Sequence, residues 1–163
     1  MKKIFLLRHA KSSWSDPTLE DLERPLNNRG RMNAPQLAKR AALKWKSPKK
    51  ILCSPAKRAV QTAEYMKIYW WKKQNYELDS LLYEQSAYSI LDLLKGNHEE
   101  VDSIAFIFHN PTITILSNLL VNEVIHHIPT CGLLTMGLSQ SRWNQLEPGC
   151  CELLDFDYPK KNA

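Results

Sequence analysis

Short apolar runs alternate along this chain with longer stretches in which apolar residues recur every three or four positions. The first run, Ile4-Phe5-Leu6-Leu7, lies between Lys3 and Arg8. Four large apolar residues in succession predict a strand over residues 3–7 covered on both faces, because a strand with one wet face alternates apolar and polar residues. Residues 103–108 predict a second strand of this kind, and residues 50–53 a shorter one. Residues 77–79 predict a brief strand. Residues 131–138 and 151–156 predict two late strands with a turn around Glu147-Pro148-Gly149. The helical stretches lie between them. Residues 28–45 predict a helix capped near Asn27 or Asn28, with Gly30 and Pro35 early in it. Ser54-Pro55 reads as a helix start, Ser as cap and Pro in the first turn, with an alanine-rich helix running on to about Trp71. Residues 87–95 predict a helix stopped by Gly96-Asn97, and residues 111–122 another.

The order β-α-β-α-β-α-β-α-β-β predicts an α/β fold: a single three-layer α/β/α domain with a mostly parallel sheet, helices on both faces and room for one antiparallel strand. The 163 residues suffice for one core, spanning 1–158, with a short polar tail at 159–163. Residues 12–27 form the longest irregular segment. It follows the first strand directly, so it is expected to rim whatever site lies there.

Composition adds little: 44% hydrophobic and 24% charged residues are ordinary for a globular chain. The formal net charge of +5 favours an anionic partner, but no basic block is long enough to read as a nucleic-acid arm. Lys2-Lys3 before Ile4 mimics a signal peptide only faintly, since Arg8 ends the apolar run. Residues 103–122 lack Asp, Glu, Lys and Arg, yet His109, Asn110 and Pro111 interrupt them, which suits a core strand, loop and helix better than a membrane span. A cytoplasmic protein is expected. The four cysteines form no C-x-x-C pair, and reduced thiols are expected; His126, His127 and Cys131 fit no familiar zinc spacing, so no metal is expected.

Four places put a polar or charged group just after a predicted strand, where α/β sheets gather ligands in one crevice. They are Arg8-His9, Ser54 to Arg58, Glu84, and His109-Asn110-Pro111. A phosphoryl group in transfer spreads negative charge over its equatorial oxygens and needs several positive donors around it. Arg8 and Arg58 can clamp such a group in fork geometry. The amide of Asn110, expected at a helix N-terminus, would add a backbone donor. His9 can attack phosphorus as a neutral imidazole whose other nitrogen is held by a backbone carbonyl, and Glu84 is the candidate acid and base for the leaving group. His98, His126 and His127 lack such placement and read as structural.

These residues carry a resemblance. Leu6 to Trp14, with Arg8-His9-Ala10, resembles the Arg-His signature of the histidine phosphatase superfamily, which includes the phosphoglycerate mutases. Ala10, where many members have Gly, resembles the SixA-type phosphohistidine phosphatase branch. Residues 24–30 are similar to the family's segment before the first helix, residues 54–63 to the segment holding its second arginine, and His109-Asn110-Pro111 to its second histidine. The likeness runs in order to about Phe156. Phe108 stands where a Gly often precedes the second histidine.

The resemblance implies a phosphoglycerate mutase-like fold and a transient phosphoryl group on His9. It implies a phosphate pocket of Arg8, Arg58 and His109, with no metal or organic cofactor. SixA-type members need not use the acid found in mutases. From Arg58 to Glu84 is 26 residues and from there to His109 is 25, which leaves no room for a cap domain. An uncapped crevice favours a phosphohistidine protein as substrate. A small-molecule phosphomonoesterase or mutase and a non-catalytic phosphate-binding module are the rivals. Neither nucleic acid nor membrane is expected as a partner, and the sequence leaves the oligomeric state open.

Overall fold

The computed structural model describes residues 1–72, 74–84, 86–96 and 98–161. One six-stranded sheet runs through it in the order β3-β2-β4-β1-β5-β6. The strands are β1 (Lys2–Arg8), β2 (Lys50–Cys53), β3 (Glu77–Leu78), β4 (Ser103–Phe108), β5 (Leu133–Leu138) and β6 (Cys151–Asp157). The first four are mutually parallel; β5 pairs antiparallel with both β1 and β6, so β5 alone runs against the rest. This is the predicted mostly parallel sheet with its single reversed strand.

The helices are α1 (Asn28–Lys44), α2 (Lys57–Met66), α3 (Leu81–Glu84), α4 (Ala87–Lys95) and α5 (Thr112–Leu120). They divide between the two faces, and the β1 run shows how. Ile4 and Leu6 join α4, α5 and Trp143 in one cluster, while Phe5 and Leu7 join α1, α2 and the Trp70-Trp71 pair in the other. Successive side chains of a strand point to opposite faces, so a strand covered on both sides must be apolar throughout. Phe5 makes edge contacts with Trp45 and Trp70 at 6.1 and 5.2 Å, which places Trp70 and Trp71 in the core.

Several element ends differ from expectation. α2 starts at Lys57 rather than at Ser54, and its cap residue Ala56 has no side-chain acceptor; the Ser54 hydroxyl accepts from the Ala56 amide and meets His109 instead. Its continuation to Trp71 is a π-helical turn over Lys67–Trp71. α5 starts at Thr112 and ends at Leu120, and β5 starts two residues late because Cys131 takes a positive φ of 61°. Asn97, half of the predicted stop after α4, and the last two residues of the predicted tail lie outside the described residues. No helix among the described residues is long and apolar enough to cross a membrane.

Two contacts fix α1. At its start the Asn27 side chain accepts from the Gly30 amide at 2.9 Å, and Gly30 lies against the backbone of Lys11, where a Cβ would collide with the Lys11 carbonyl. Near its end Arg40 donates to both oxygens of Asp157 at 3.1 and 2.8 Å, tying α1 to β6; Lys44 adds Asp155 at 2.9 Å.

Candidate active site

β2, β4 and β1 are neighbours in the sheet and their carboxyl ends are level: Arg8 is opposite Phe108, and Cys53 opposite Ile107. The residue after each strand therefore emerges at one edge. Those residues are His9, Ser54 and His109. The two imidazole rings lie 5.0 Å apart, about one strand spacing.

His9 is held by its own backbone. Its N–H donates to Phe108 O at 3.2 Å and its carbonyl accepts from the Cys131 amide at 3.0 Å. Nδ1 lies 2.7 Å from Ala10 O. A carbonyl only accepts, so the proton sits on Nδ1 and Nε2 carries the lone pair that can act as a nucleophile. The Ala10 turn is anchored in its turn: the Ala10 amide donates to Thr62 Oγ1 at 3.0 Å, and the Thr62 hydroxyl donates to Arg58 O at 2.8 Å. Burial, then the neighbouring His109 and the charges of Arg58 and Arg8, lower the His9 pKa to about 3. Burial and Arg58, against an opposing pull from Asp21, lower His109 to about 4. Both rings are thus neutral near pH 7.

Ser54 fixes the second ring. Its Oγ accepts from the Ala56 amide at 3.3 Å and lies 2.7 Å from His109 Nε2. When the Ser54 hydroxyl donates to Nε2, the His109 proton sits on Nδ1. That Nδ1 is buried and has no partner among the described residues. The arginines repeat the pattern. Arg8 donates from one terminal nitrogen to Ile128 O at 2.8 Å. Arg58, in the first turn of α2, donates to Asp21 O at 2.7 Å and Asp21 Oδ2 at 3.0 Å. Both keep a buried Nε without a partner among the described residues. Buried donors are rarely left unmade in a native protein unless a ligand or water completes them.

Two predicted site residues stand differently. Asn110 lies two residues before α5, so its amide is not among the helix's first-turn donors. Its side chain is spent within the protein: Nδ2 donates to Ile128 O at 3.3 Å and Oδ1 accepts from Thr114 at 2.6 Å. Glu84 is exposed at the end of α3, and among the described residues no hydrogen bond or ion pair joins it to Arg8, His9, Arg58 or His109. Its neighbour Tyr83 is the residue that reaches in, with its ring 5.7 Å from that of His109 and its hydroxyl donating to Asp21 Oδ2 at 2.7 Å.

Asp21 itself was not anticipated. It lies in a short 3-10 turn, Asp21–Glu23, inside the irregular segment expected to rim the site. Burial works to raise its carboxyl, but hydrogen bonds from Tyr83 and Arg58, with the Arg58 charge, prevail and bring it to about 2. The available signal was Asp21 three residues before Arg24, which donates back to it at 3.1 Å. A cleft of about 430 Å³ opens at the opposite edge of the sheet, lined by Lys3, Phe5, Lys44, Lys49 and Asp102 among others. It contains none of the paired imidazoles and guanidiniums, and the chemistry outweighs the volume.

The family profile described as the histidine phosphatase superfamily (branch 1) matches residues 4–88, more than half of the chain. The chain belongs to the histidine phosphatase superfamily. Its phosphatase character follows from that membership, and solved structures agree on the architecture. A structure from Agrobacterium tumefaciens described as a phosphohistidine phosphatase SixA superposes with a TM-score of 0.82 at 27% identity, covering 97% of this chain and 98% of that one. The protein histidine phosphatase SixA in complex with tungstate superposes with a TM-score of 0.82 over 96% of this chain and 97% of that one; at 21% identity it shows the shared fold. An uncharacterised protein of Mycobacterium tuberculosis is 25% identical over 94% of this chain and all of its own length. Within the superfamily the likeness of this histidine phosphatase is to SixA-type members.

Proposed function

We propose that this histidine phosphatase hydrolyses phosphohistidine on proteins through a phosphoryl group carried on His9. The observation that supports it is the set of buried donors with no partner, Arg8 Nε, Arg58 Nε and His109 Nδ1, on residues gathered around the His9 ring. His9 Nε2 attacks phosphorus; the P–N bond to His9 forms as the bond to the leaving group breaks. Water then attacks the same phosphorus, loses a proton, and releases inorganic phosphate and neutral His9. Throughout, the three donors face the equatorial oxygens, where negative charge accumulates.

The leaving group selects the substrate class. An alkoxide needs a proton as it departs. The buried groups here are poor suppliers at neutral pH: His9 and His109 are neutral, and Asp21, held at about 2, is an anion. Glu84 is exposed and makes no bond to the set. A phosphoimidazole already protonated on its other nitrogen leaves as a neutral ring when the P–N bond breaks, so it needs no proton from the enzyme. The chain between Arg58 and His109 is occupied by α2, β3, α3 and α4 with no added cap domain, which favours a residue displayed on a polypeptide as substrate.

The test is a substrate panel with acid quench. Wild type is expected to dephosphorylate a phosphohistidine peptide and phosphoramidate at least about tenfold faster than phosphoserine peptide or sugar phosphates, and to carry a trapped phosphoryl group on His9. His9→Ala is expected to lose turnover by at least about 10³-fold while remaining folded. A preference for alkyl phosphates would move the assignment to a small-molecule phosphomonoesterase. Phosphate binding without turnover would leave a binding module.

A further inference from the structure

We propose that Asp21 is a positioning residue, which aims the Arg58 guanidinium at the phosphoryl group without touching it. The inference rests on the His9 mechanism above. An arginine side chain has a long flexible stem, and a donor that stabilises a transition state must be held in place before the reaction. Arg58 is held along one edge only. Its terminal nitrogens are engaged by the Asp21 carbonyl at 2.7 Å and the Asp21 carboxylate at 3.0 Å, while its buried Nε–H has no partner. The anchor takes the terminal nitrogens and leaves the Nε–H edge unbonded among the described residues.

Asp21 is itself fixed. Its Oδ2 also accepts from the Tyr83 hydroxyl at 2.7 Å, and its Oδ1 accepts from Arg24 Nε at 3.1 Å. Arg24 also donates to Ser12 Oγ at 3.0 Å and Ser13 O at 3.2 Å, and its guanidinium lies 3.5 Å over the Trp14 ring. One carboxylate thereby joins the loop after the nucleophile, the first turn of α2 and α3. An anion beside an anion-binding site opposes binding of the ground state, so its presence needs a compensating gain. Fixing Arg58 supplies that gain if the orientation counts most in the transition state.

A brace that only held the fold would behave differently on removal. Asp21→Asn keeps the size, loosens the anchor and makes the pocket one charge more positive. The expected result is a fall in kcat of about 10- to 100-fold, with inorganic phosphate inhibiting as well as before or better. Tyr83→Phe, which keeps the ring and removes one bond to Asp21, is expected to lower kcat about threefold with the same split. Unchanged kcat in both variants, or kcat and phosphate affinity falling together, overturns the proposal. If Asp21→Asn does not fold, Tyr83→Phe decides by the same two readings. Acid-quench trapping separates the two layers. A wild type that traps no phosphoryl group on His9 sinks the mechanism and this role with it; a wild type and Asp21→Asn that trap it equally fast sink the role of Asp21 alone.

Discussion

Asp157 and Asp21 each accept bonds from an arginine, and the two pairs are built in opposite senses. At the β6 edge the carboxylate is the buried partner, 4% exposed, and Arg40 is 26% exposed. Both Asp157 oxygens are satisfied by Arg40, and the guanidinium also reaches Tyr158 O at 2.8 Å. At the crevice the arginine is the buried partner: Arg58 is 7% exposed and Asp21 50%. Burying a charge costs least when its bonds are complete. The buried group at β6 is complete, whereas Arg58 at the crevice keeps an unused Nε. The first arrangement closes on itself and secures a helix to a sheet. The second leaves a buried donor unbonded among the described residues.

The comparison breaks most sharply at Arg58. Arg58→Ala is expected to reduce kcat on phosphoramidate by about 10²- to 10³-fold, the cost of a donor aimed at developing charge, with the thermal midpoint unchanged or higher. A drop in stability without a drop in rate would make the crevice pair the same kind of object as the β6 pair. Asp157→Ala is the mirror experiment. It strands a partly buried guanidinium, and is expected to cost about 2 kcal/mol in denaturant unfolding while leaving kcat within about twofold. A rate loss there would remove the distinction from the other side.

A further break is in pH. The His9 and His109 imidazoles, ordinarily protonated near 6.5, are held to about 3 and about 4 in the folded chain. Between those values the unfolded chain binds more protons, so stability rises with pH there and is lost as pH falls from 6.5 towards 4. Asp157 behaves differently. Burial raises its carboxyl, but the Arg40 bonds and charge outweigh that and hold it low, so its contribution is present above the ordinary carboxyl range and is lost only in stronger acid. The thermal midpoint is therefore expected to fall between about pH 7 and about pH 5, and to fall less in His9→Ala. An equal fall in that variant would mean that His9 is not the buried neutral ring described above.

The sheet was legible because its strands declare themselves locally. Residues 103–108 and the helix Ala87–Lys95 are found where the apolar pattern places them, and β1 differs by one residue at each end. The placement of Arg8, His9, Arg58 and His109 was legible for the same reason: Arg8 ends β1, His9 and His109 directly follow β1 and β4, and Arg58 lies in the first turn of the helix after β2. What escaped depends on contacts across long stretches of chain. Asp21 meets Arg58 and Tyr83 from an irregular segment with no periodicity to read. In Leu81–Glu84 the carboxylate drew attention, but one residue of helical rotation decides which side chain faces inward, and it is Tyr83. Ser54 has the grammar of a helix cap, yet its hydroxyl is 2.7 Å from an imidazole 55 residues away. Asn110 sits before α5, and its amide group is consumed by Ile128 and Thr114.

Gly30 lies far from phosphorus chemistry in sequence, on a helix whose outer surface could accept many side chains. Yet its missing methyl is what lets α1 rest on the Lys11 backbone, two residues past His9. Any larger residue would lever that loop outward, and the Ala10 carbonyl that orients the His9 ring would travel with it. Drift along this helix is therefore constrained at one position by the aim of an imidazole it never meets.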